Sequence, residues 1–322
     1  MNRILQLFTV FISLTVLFSC DRTSEREAKI EAIPMEFDIV RFDQIFAEAT
    51  PSDLPQLKAN YPIFFPKQFH DSIWIGKMQD TLQQQLDAEV DKAFPNNSVL
   101  EDELTPLFQH IQFYFPEFEA PTVVTVTSDV DYQNKAIATD SLMVLSLDTY
   151  LGAEHPFYEG IQKYFSKNLK PSQIAPDVAE AYAKQLTAYP RKRHFLGQMI
   201  YYGKILYLKN LWVPNAEDCA IIGYSPEEWQ WAEENEQQIW RYFVENELLY
   251  SSEPKLGARF LNPAPFSKFY LEIDNESPGE IGRYIGWKIV EAYMQNNDIS
   301  IKQMLQKPAE EIFNNSKYKP AK

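Results

Sequence analysis

Residues of the types and spacing that chemistry requires are sparse in this 322-residue sequence. One constellation is an Asp148 that follows an apolar, strand-like run, with His155 seven residues later. A carboxylate and an imidazole placed in this way could meet in one cleft and exchange protons. The alternative is structural, with Asp148 capping the turn that leaves the strand. The sequence leaves both interpretations open.

Metal and serine chemistry are not predicted. A helical zinc site places two ligands one turn apart, and no two of the histidines have that spacing. The sequence also lacks the Gly-x-Ser-x-Gly elbow of a serine nucleophile. We therefore expect no metal and no dissociable cofactor. The four histidines are His70, His110, His155 and His194.

Cys20 is the other residue with distinctive chemistry. It ends Leu17-Phe18-Ser19-Cys20, which resembles a bacterial lipobox, and it follows the short apolar run Ile4–Phe18. That run is shorter than the roughly 20 residues that a membrane span needs, but it has the length of a signal-peptide core. The pattern predicts that residues 1–19 are removed and that Cys20 receives lipid, including an acyl chain such as palmitate. The covalent lipid would anchor the chain to a membrane.

The charge balance and composition exclude several classes of partner. Lys and Arg number 30 against 45 Asp and Glu, and loss of Arg3 with the signal peptide lowers the net charge from −15 to −16. A nucleic-acid partner is not expected, because phosphate-binding proteins carry a basic surface. Glycine numbers only 10, which leaves little material for nucleotide-binding loops. Cys219, the second of two cysteines, is predicted to be a buried core residue without a disulfide partner.

Hydrophobic periodicity predicts the elements that must position these residues. A tether over 20–34 is expected to precede a single domain over 35–322. The fold class is α+β and predominantly helical, with a small sheet in the N-terminal half and a helical C-terminal half. Strands are predicted at 35–42, 122–127 and 141–147. Helices are predicted at 75–94, 104–114, 174–188, 195–212, 227–249 and 279–296, with a short one ending near Phe46.

Two local signals refine the helical half. Ser225-Pro226-Glu227-Glu228 and Ser277-Pro278-Gly279-Glu280 both have the form of a hydroxyl N-cap, a proline at the first position and a glutamate that reaches back. Each predicts the start of a helix. The small residues Gly279, Gly282 and Gly286 at the start of the last long helix predict close packing against another helix, with a phosphate-binding loop as the alternative.

Several of these segments together resemble the GldB family of gliding-motility lipoproteins of Bacteroidetes. Besides the lipobox they are Ile39-Val40-Arg41-Phe42-Asp43, Leu147-Asp148-x-Tyr150-Leu151-Gly152, Tyr202-Gly203-Lys204-Ile205-Leu206-Tyr207, Pro263-Ala264-Pro265-Phe266, the segment 277–287 and Ser316-Lys317-Tyr318-Lys319-Pro320. The resemblance implies an accessory of the gliding machinery and of the linked secretion system, with no established catalytic role.

The helical half is also similar in layout to a family of zinc peptidases that carry a His-Glu-x-x-His helix and a later Glu-Gly segment. Under that alignment Glu180 keeps the place of the general base. Ala179, Ala183 and Tyr202 replace the three metal ligands, so no zinc-bound water could be activated. The resemblance implies a degenerate peptidase architecture whose cleft is retained for binding.

We therefore expect a non-enzymatic, lipid-anchored protein of the cell envelope that faces the periplasm and contacts envelope proteins of the gliding and secretion machinery. The sequence leaves open whether the inner or the outer membrane holds the anchor. The alternative is an envelope hydrolase or peptidoglycan-acting enzyme with a non-standard acidic site around Asp148, His155 and Glu180. A glycan-binding module, with exposed aromatic side chains along one groove, is a third hypothesis.

Overall fold

The computed structural model of the protein describes residues 25–272 and 274–321. Its helices and strands, labelled in chain order, support one large core. The helices are α1 (25–31), α2 (Phe42–Ala47), α3 (Leu54–Asn60), α4 (Asp71–Gln79), α5 (Thr81–Ala93), α6 (Ser98–Tyr114), α7 (Lys163–Ser166), α8 (Ile174–Leu186), α9 (Phe195–Trp212), α10 (Asp218–Ile222), α11 (Pro226–Glu234), α12 (Glu236–Glu245), α13 (Lys255–Phe260), α14 (Ile281–Asn296), α15 (Ile301–Gln306) and α16 (Ala309–Ser316). The strands are β1 (Ile39–Val40), β2 (Thr122–Val126), β3 (Ala136–Ala138) and β4 (Leu142–Ser146).

The strands form one small mixed sheet in the order β1-β2-β4-β3. β1, β2 and β4 run parallel, and β3 pairs antiparallel with β4. The sheet separates two apolar clusters, because Val123 and Met143 face the main core while Val124 packs with Phe42 and Phe46 in a smaller one. The predicted α+β, predominantly helical class is confirmed.

The helical half is organised around α9, which begins and ends at the predicted residues. Its buried side chains cover almost the whole circumference, as is typical of a central helix. α14 crosses it closely, because a Cβ at Gly203 would overlap the backbone of Gly286, and a Cβ at Gly286 would overlap the carbonyl of Met199. The predicted close helix packing is confirmed at Gly286, whereas Gly279 lies before α14 and approaches the carbonyl of Ala264 in a loop.

Two predicted helices are each divided in the structure. The continuous helix over 75–94 is two helices, because Asp80 leaves the helical conformation and its carboxylate accepts hydrogen bonds from the backbone of Leu82 and Gln83. The continuous helix over 227–249 breaks at Asn235.

The two Ser-Pro-x-Glu signals have different outcomes. Ser225 and Glu228 form the predicted capping box at the start of α11. At the second site the prediction is wrong, because α14 starts at Ile281 and Glu280 adopts a left-handed backbone conformation. The Ser277 hydroxyl instead lies within hydrogen-bond distance of the backbone carbonyls of Ser267 and Asp274, which anchors the preceding loop. Ser277 and Glu280 therefore do not form a capping box.

The N-terminal segment also differs from the prediction. Residues 25–31, which lie within the predicted solvated tether, are helical, and Ile30 is fully buried. Glu27 accepts a hydrogen bond from His110, and the Gln109 amide donates to the carbonyl of Ile33. The tether prediction took account neither of the apolar Ile30 nor of the hydrogen bonds that join this segment to α6. The predicted signal peptide and Cys20 lie outside the described residues.

Candidate functional site

A cleft of about 600 Å³ lies in the helical half beside the edge of the sheet. α8, α9 and α14 form one side of it, and the segments 132–136 and 164–169 form another. This cleft is the candidate functional site because most of the charged side chains that line it point toward one another across three helices. Its acidic and basic lining residues are Lys135, Asp177, Glu180, Lys184, Lys209, Glu280 and Arg283.

Glu180 is the centre of this cluster. One carboxylate oxygen accepts from Lys209 Nζ at 2.8 Å, and the other pairs with Lys184 Nζ at 2.8 Å. Burial by itself would raise the pKa of Glu180, but Lys209, Lys184 and Arg283 outweigh it and hold that pKa well below its ordinary value. Glu180 is therefore a paired carboxylate and a weak base.

Glu280 and Arg283 form the second ion pair, at the start of α14. Glu280 Oε1 lies 2.7 Å from Arg283 Nη1, and Arg283 Nε donates to the carbonyl of Leu261 at 2.6 Å. The guanidinium lies over the ring of Tyr202, 4.0 Å from its centroid, in a cation–π contact. Burial raises the pKa of Glu280, and Arg283 only partly offsets it.

The rim of the cleft adds one more ion pair and an aromatic wall. Lys135 Nζ lies 2.5 Å from Asp177 Oδ2, which also accepts from the Tyr150 hydroxyl at 3.1 Å. On the wall, the ring of Phe165 lies 4.9 Å from that of Tyr132 and 4.4 Å from that of Tyr164, between centroids.

Asp148 is fully buried at the end of β4, away from the lining of this cleft. Its Oδ2 accepts hydrogen bonds from the backbone N–H of Ser128 and Val130, and Oδ1 accepts from the Ser128 hydroxyl. The carboxylate thus holds the loop that follows β2, in which Val130 adopts a left-handed conformation. It caps a neighbouring loop rather than the turn that follows its own strand.

His155 has separate partners. Its Nε2 lies 3.2 Å from a carboxylate oxygen of Glu89 on α5, and its Nδ1 accepts from the backbone N–H of Phe157. Within the described residues Asp148 and His155 share no hydrogen bond; the Tyr158 side chain lies between them, bonding the Asp148 carbonyl and contacting the His155 ring. Glu180 and Tyr202 are linked through Arg283, which lowers the pKa of Glu180 and lies over the Tyr202 ring, whereas Asp148 and His155 bind different elements.

The positions that the peptidase resemblance assigns to zinc ligands carry none of the His or Glu side chains of such a site. Ala179 and Ala183 are fully buried methyl groups on α8, and the Tyr202 ring faces Arg283. Over residues 25–272 and 274–321, no three His, Cys, Asp or Glu side chains cluster in a way that could hold a metal ion. These residues do not fit a zinc site, and the expectation of a cofactor-free protein stays a prediction.

Sequence reasoning missed Lys209, Glu280 and Arg283. Glu280 was assigned to a capping box, and Lys209 is separated from Glu180 by 29 residues. The local signal was a pair of lysines, Lys204 and Lys209, on the largely apolar α9, since a buried helix carries a charge only where a partner compensates it.

Comparison with known proteins identifies the chain as a gliding-motility protein. The sequence model of the gliding motility protein GldB matches residues 23–320, so the chain belongs to the GldB family. This confirms the family resemblance. No curated protein and no solved structure is significantly similar to the chain. None of the described helices has the length and apolar character that a membrane span requires.

Proposed function

We propose that this protein is a membrane-anchored lipoprotein, required for gliding motility and the linked secretion machinery, that acts by protein–protein contact rather than catalysis. The anchor is the lipid on Cys20, and the partners are envelope proteins on the periplasmic side. The family membership supports the role in motility. The lipobox supports the anchor, and the acidic balance of the chain favours contact with proteins over direct contact with anionic lipid.

The observation that carries the non-catalytic part is the pairing of Glu180. A general base must accept a proton from substrate or water near neutral pH, and so needs a raised pKa and a free oxygen. Glu180 has the opposite features: both oxygens bind lysines and its pKa is lowered. With alanines beside it in place of metal ligands, the cleft is better suited to binding than to hydrolysis.

A second candidate function, an envelope hydrolase with an acidic site, is favoured by one observation. Glu180 and Glu280 line the same cleft, and the pKa of Glu280 is raised while that of Glu180 is lowered. Two carboxyl groups whose pKa values are shifted in opposite directions are typical of acid–base pairs in enzymes. In that case Glu280 would be the acid and Glu180 the charged partner.

Complementation of a gene deletion separates the two functions. Cells that carry Glu280→Gln are expected to spread on surfaces as the wild type does, since glutamine retains the shape of the side chain and can accept from Arg283. Loss of spreading, with unchanged protein level and thermal unfolding, would favour the hydrolase. A Glu276→Gln variant, which changes an exposed carboxylate on the neighbouring loop, is the matched control.

A further inference from the structure

The cleft reverses the charge balance of the chain. Acidic residues outnumber basic ones by 45 to 30 over the whole sequence, whereas four cations and three carboxylates line the cleft. Each carboxylate is already bound to a cation within the cleft. One unit of positive charge is therefore left over, in a cavity whose low-dielectric walls strengthen its attraction for an anion.

The cations also retain unused hydrogen-bond donors. The Lys209 ammonium has three N–H donors, its side chain is only 5% exposed, and among the described residues it hydrogen-bonds Glu180 alone. Arg283 uses its Nε on Leu261 and its Nη1 on Glu280, which leaves further donors of the guanidinium free among the described residues. Buried donors without acceptors are costly, so a ligand that supplies acceptor oxygens is stabilised here.

The remaining walls match a peptide. The aromatic wall of Tyr132, Tyr164 and Phe165 offers apolar faces for a side chain to pack against. Amide side chains that can pair with a peptide backbone also line the cavity, including Asn134 and Gln173. The volume of about 600 Å³ lies in the range of small-ligand pockets, so it admits a short segment rather than a folded domain.

We propose that the cleft is the docking site for a carboxylate-bearing peptide segment of a partner protein, with Lys184, Lys209 and Arg283 binding the carboxylate and the aromatic wall packing against a neighbouring side chain. This inference rests on the proposed function, because it names the ligand class for an interaction protein. The carboxylate belongs either to an acidic side chain or to the C-terminus of the partner.

Calorimetric titration of the full chain in detergent with matched synthetic hexapeptides tests the proposal. The acidic probe is acetyl-Gly-Ser-Phe-Glu-Asp-Ser-amide, the neutral probe replaces Glu-Asp with Gln-Asn, and a third carries Gln-Asn with a free C-terminal carboxyl. One of the two carboxylate probes is expected to bind at least about tenfold more tightly than the neutral probe, which corresponds to one charge-assisted hydrogen bond. The probe that binds identifies the source of the carboxylate. Equal affinity for all three, or no binding by any, would overturn the proposal.

Two substitutions assign the binding to this cleft. Lys184→Gln is expected to lower the affinity for the preferred probe by about fivefold or more. The fold is expected to be preserved, because this lysine is half exposed and its ion pair with Glu180 lies at the surface of the cluster. Lys302→Gln removes an exposed lysine that pairs with Glu117 outside the cleft and is expected to leave affinity unchanged. Equal weakening by both variants would mean general charge attraction and would refute the site.

Glycan binding is the competing outcome. Acidic oligosaccharides, with tri-galacturonate as the probe, are expected to bind at least tenfold more weakly than the preferred peptide, and tighter binding would overturn the peptide assignment. In cells, a Lys184→Gln chain that has lost peptide binding but still supports spreading would refute the role of the cleft. The proposed function itself would stand, since it fails only if a soluble chain supports spreading or a conservative carboxylate change abolishes it.

Discussion

Gly203 and Gly286 face each other at the crossing of α9 and α14, and neither position leaves room for a Cβ atom. The contact matters for the cleft because α9 carries Lys209 and α14 carries Arg283. The separation of the two helices therefore sets the separation of two of the cations that line the cleft.

Gly286→Ala is expected to destabilise the protein by about 3 kcal/mol, because the added methyl overlaps the Met199 carbonyl and forces the helices apart. Urea unfolding followed by circular dichroism measures the change. Gly76→Ala is the control, since a Cβ at that helical position meets nothing within 4 Å and alanine favours the helix by about 0.5–1 kcal/mol. Similar free energies of unfolding for Gly286→Ala and the wild type would show that the helices can separate at little cost.

Asp148→Asn is expected to lower the free energy of unfolding by less than about 1 kcal/mol and to leave motility intact. Both backbone N–H donors reach the same oxygen, Oδ2, so the asparagine oxygen can replace it while the amide donates to the Ser128 hydroxyl. Asp148→Ala leaves these partly buried donors without their acceptor and is expected to lower the free energy of unfolding by about 2 kcal/mol. The two variants are compared by thermal unfolding and by spreading of complemented cells. A stably folded Asp148→Asn protein that fails to support spreading would indicate a chemical role for the carboxylate.

Much of the fold follows from local patterns. The bounds of α9 agree with the prediction because the segment is apolar on nearly all sides along its whole length. The break at Asn235 was not predicted, because the flanking glutamates favour helix on both sides. Glu280 was misassigned for a similar reason: Ser277 finds better partners across the loop than at a helix start.

The site was less predictable than the fold. Glu180 was singled out only by the resemblance to zinc peptidases. Its partner Lys209 lies on another helix. Asp148 and His155 were grouped by their proximity in sequence, yet each binds a different element. Ion pairs between distant helices depend on how the helices cross, and no spacing along the chain encodes that.

Lys204 gives a pH-dependent prediction. Its ammonium donates to the carbonyls of Leu305 and Lys307 at the end of α15, and burial lowers the pKa of Lys204 to about 8. Because the folded pKa lies below the ordinary 10.5, the unfolded state binds more protons between these values, and stability rises with pH there. The free energy of unfolding of the wild type, minus that of Lys204→Met, is expected to increase by about 2 kcal/mol from pH 7.5 to 9.5. A difference that stays constant or falls would show that Lys204 titrates near its ordinary pKa in the fold.

The lipid anchor is tested by the two cysteines. Cys20→Ala is expected to move the protein from the membrane fraction to the soluble fraction after cell lysis and to abolish incorporation of an alkyne-labelled fatty acid. Each buried CH₂ group contributes about 0.8 kcal/mol, so loss of the acyl chains removes the binding energy that holds the chain at the membrane. Cys219→Ala is the matched control, because that thiol is buried in the main core and is expected to leave both labelling and fractionation unchanged. A Cys20→Ala chain that stays labelled and membrane-bound would place the lipid on another residue, and a soluble one that still supports spreading would show that the anchor is dispensable for motility.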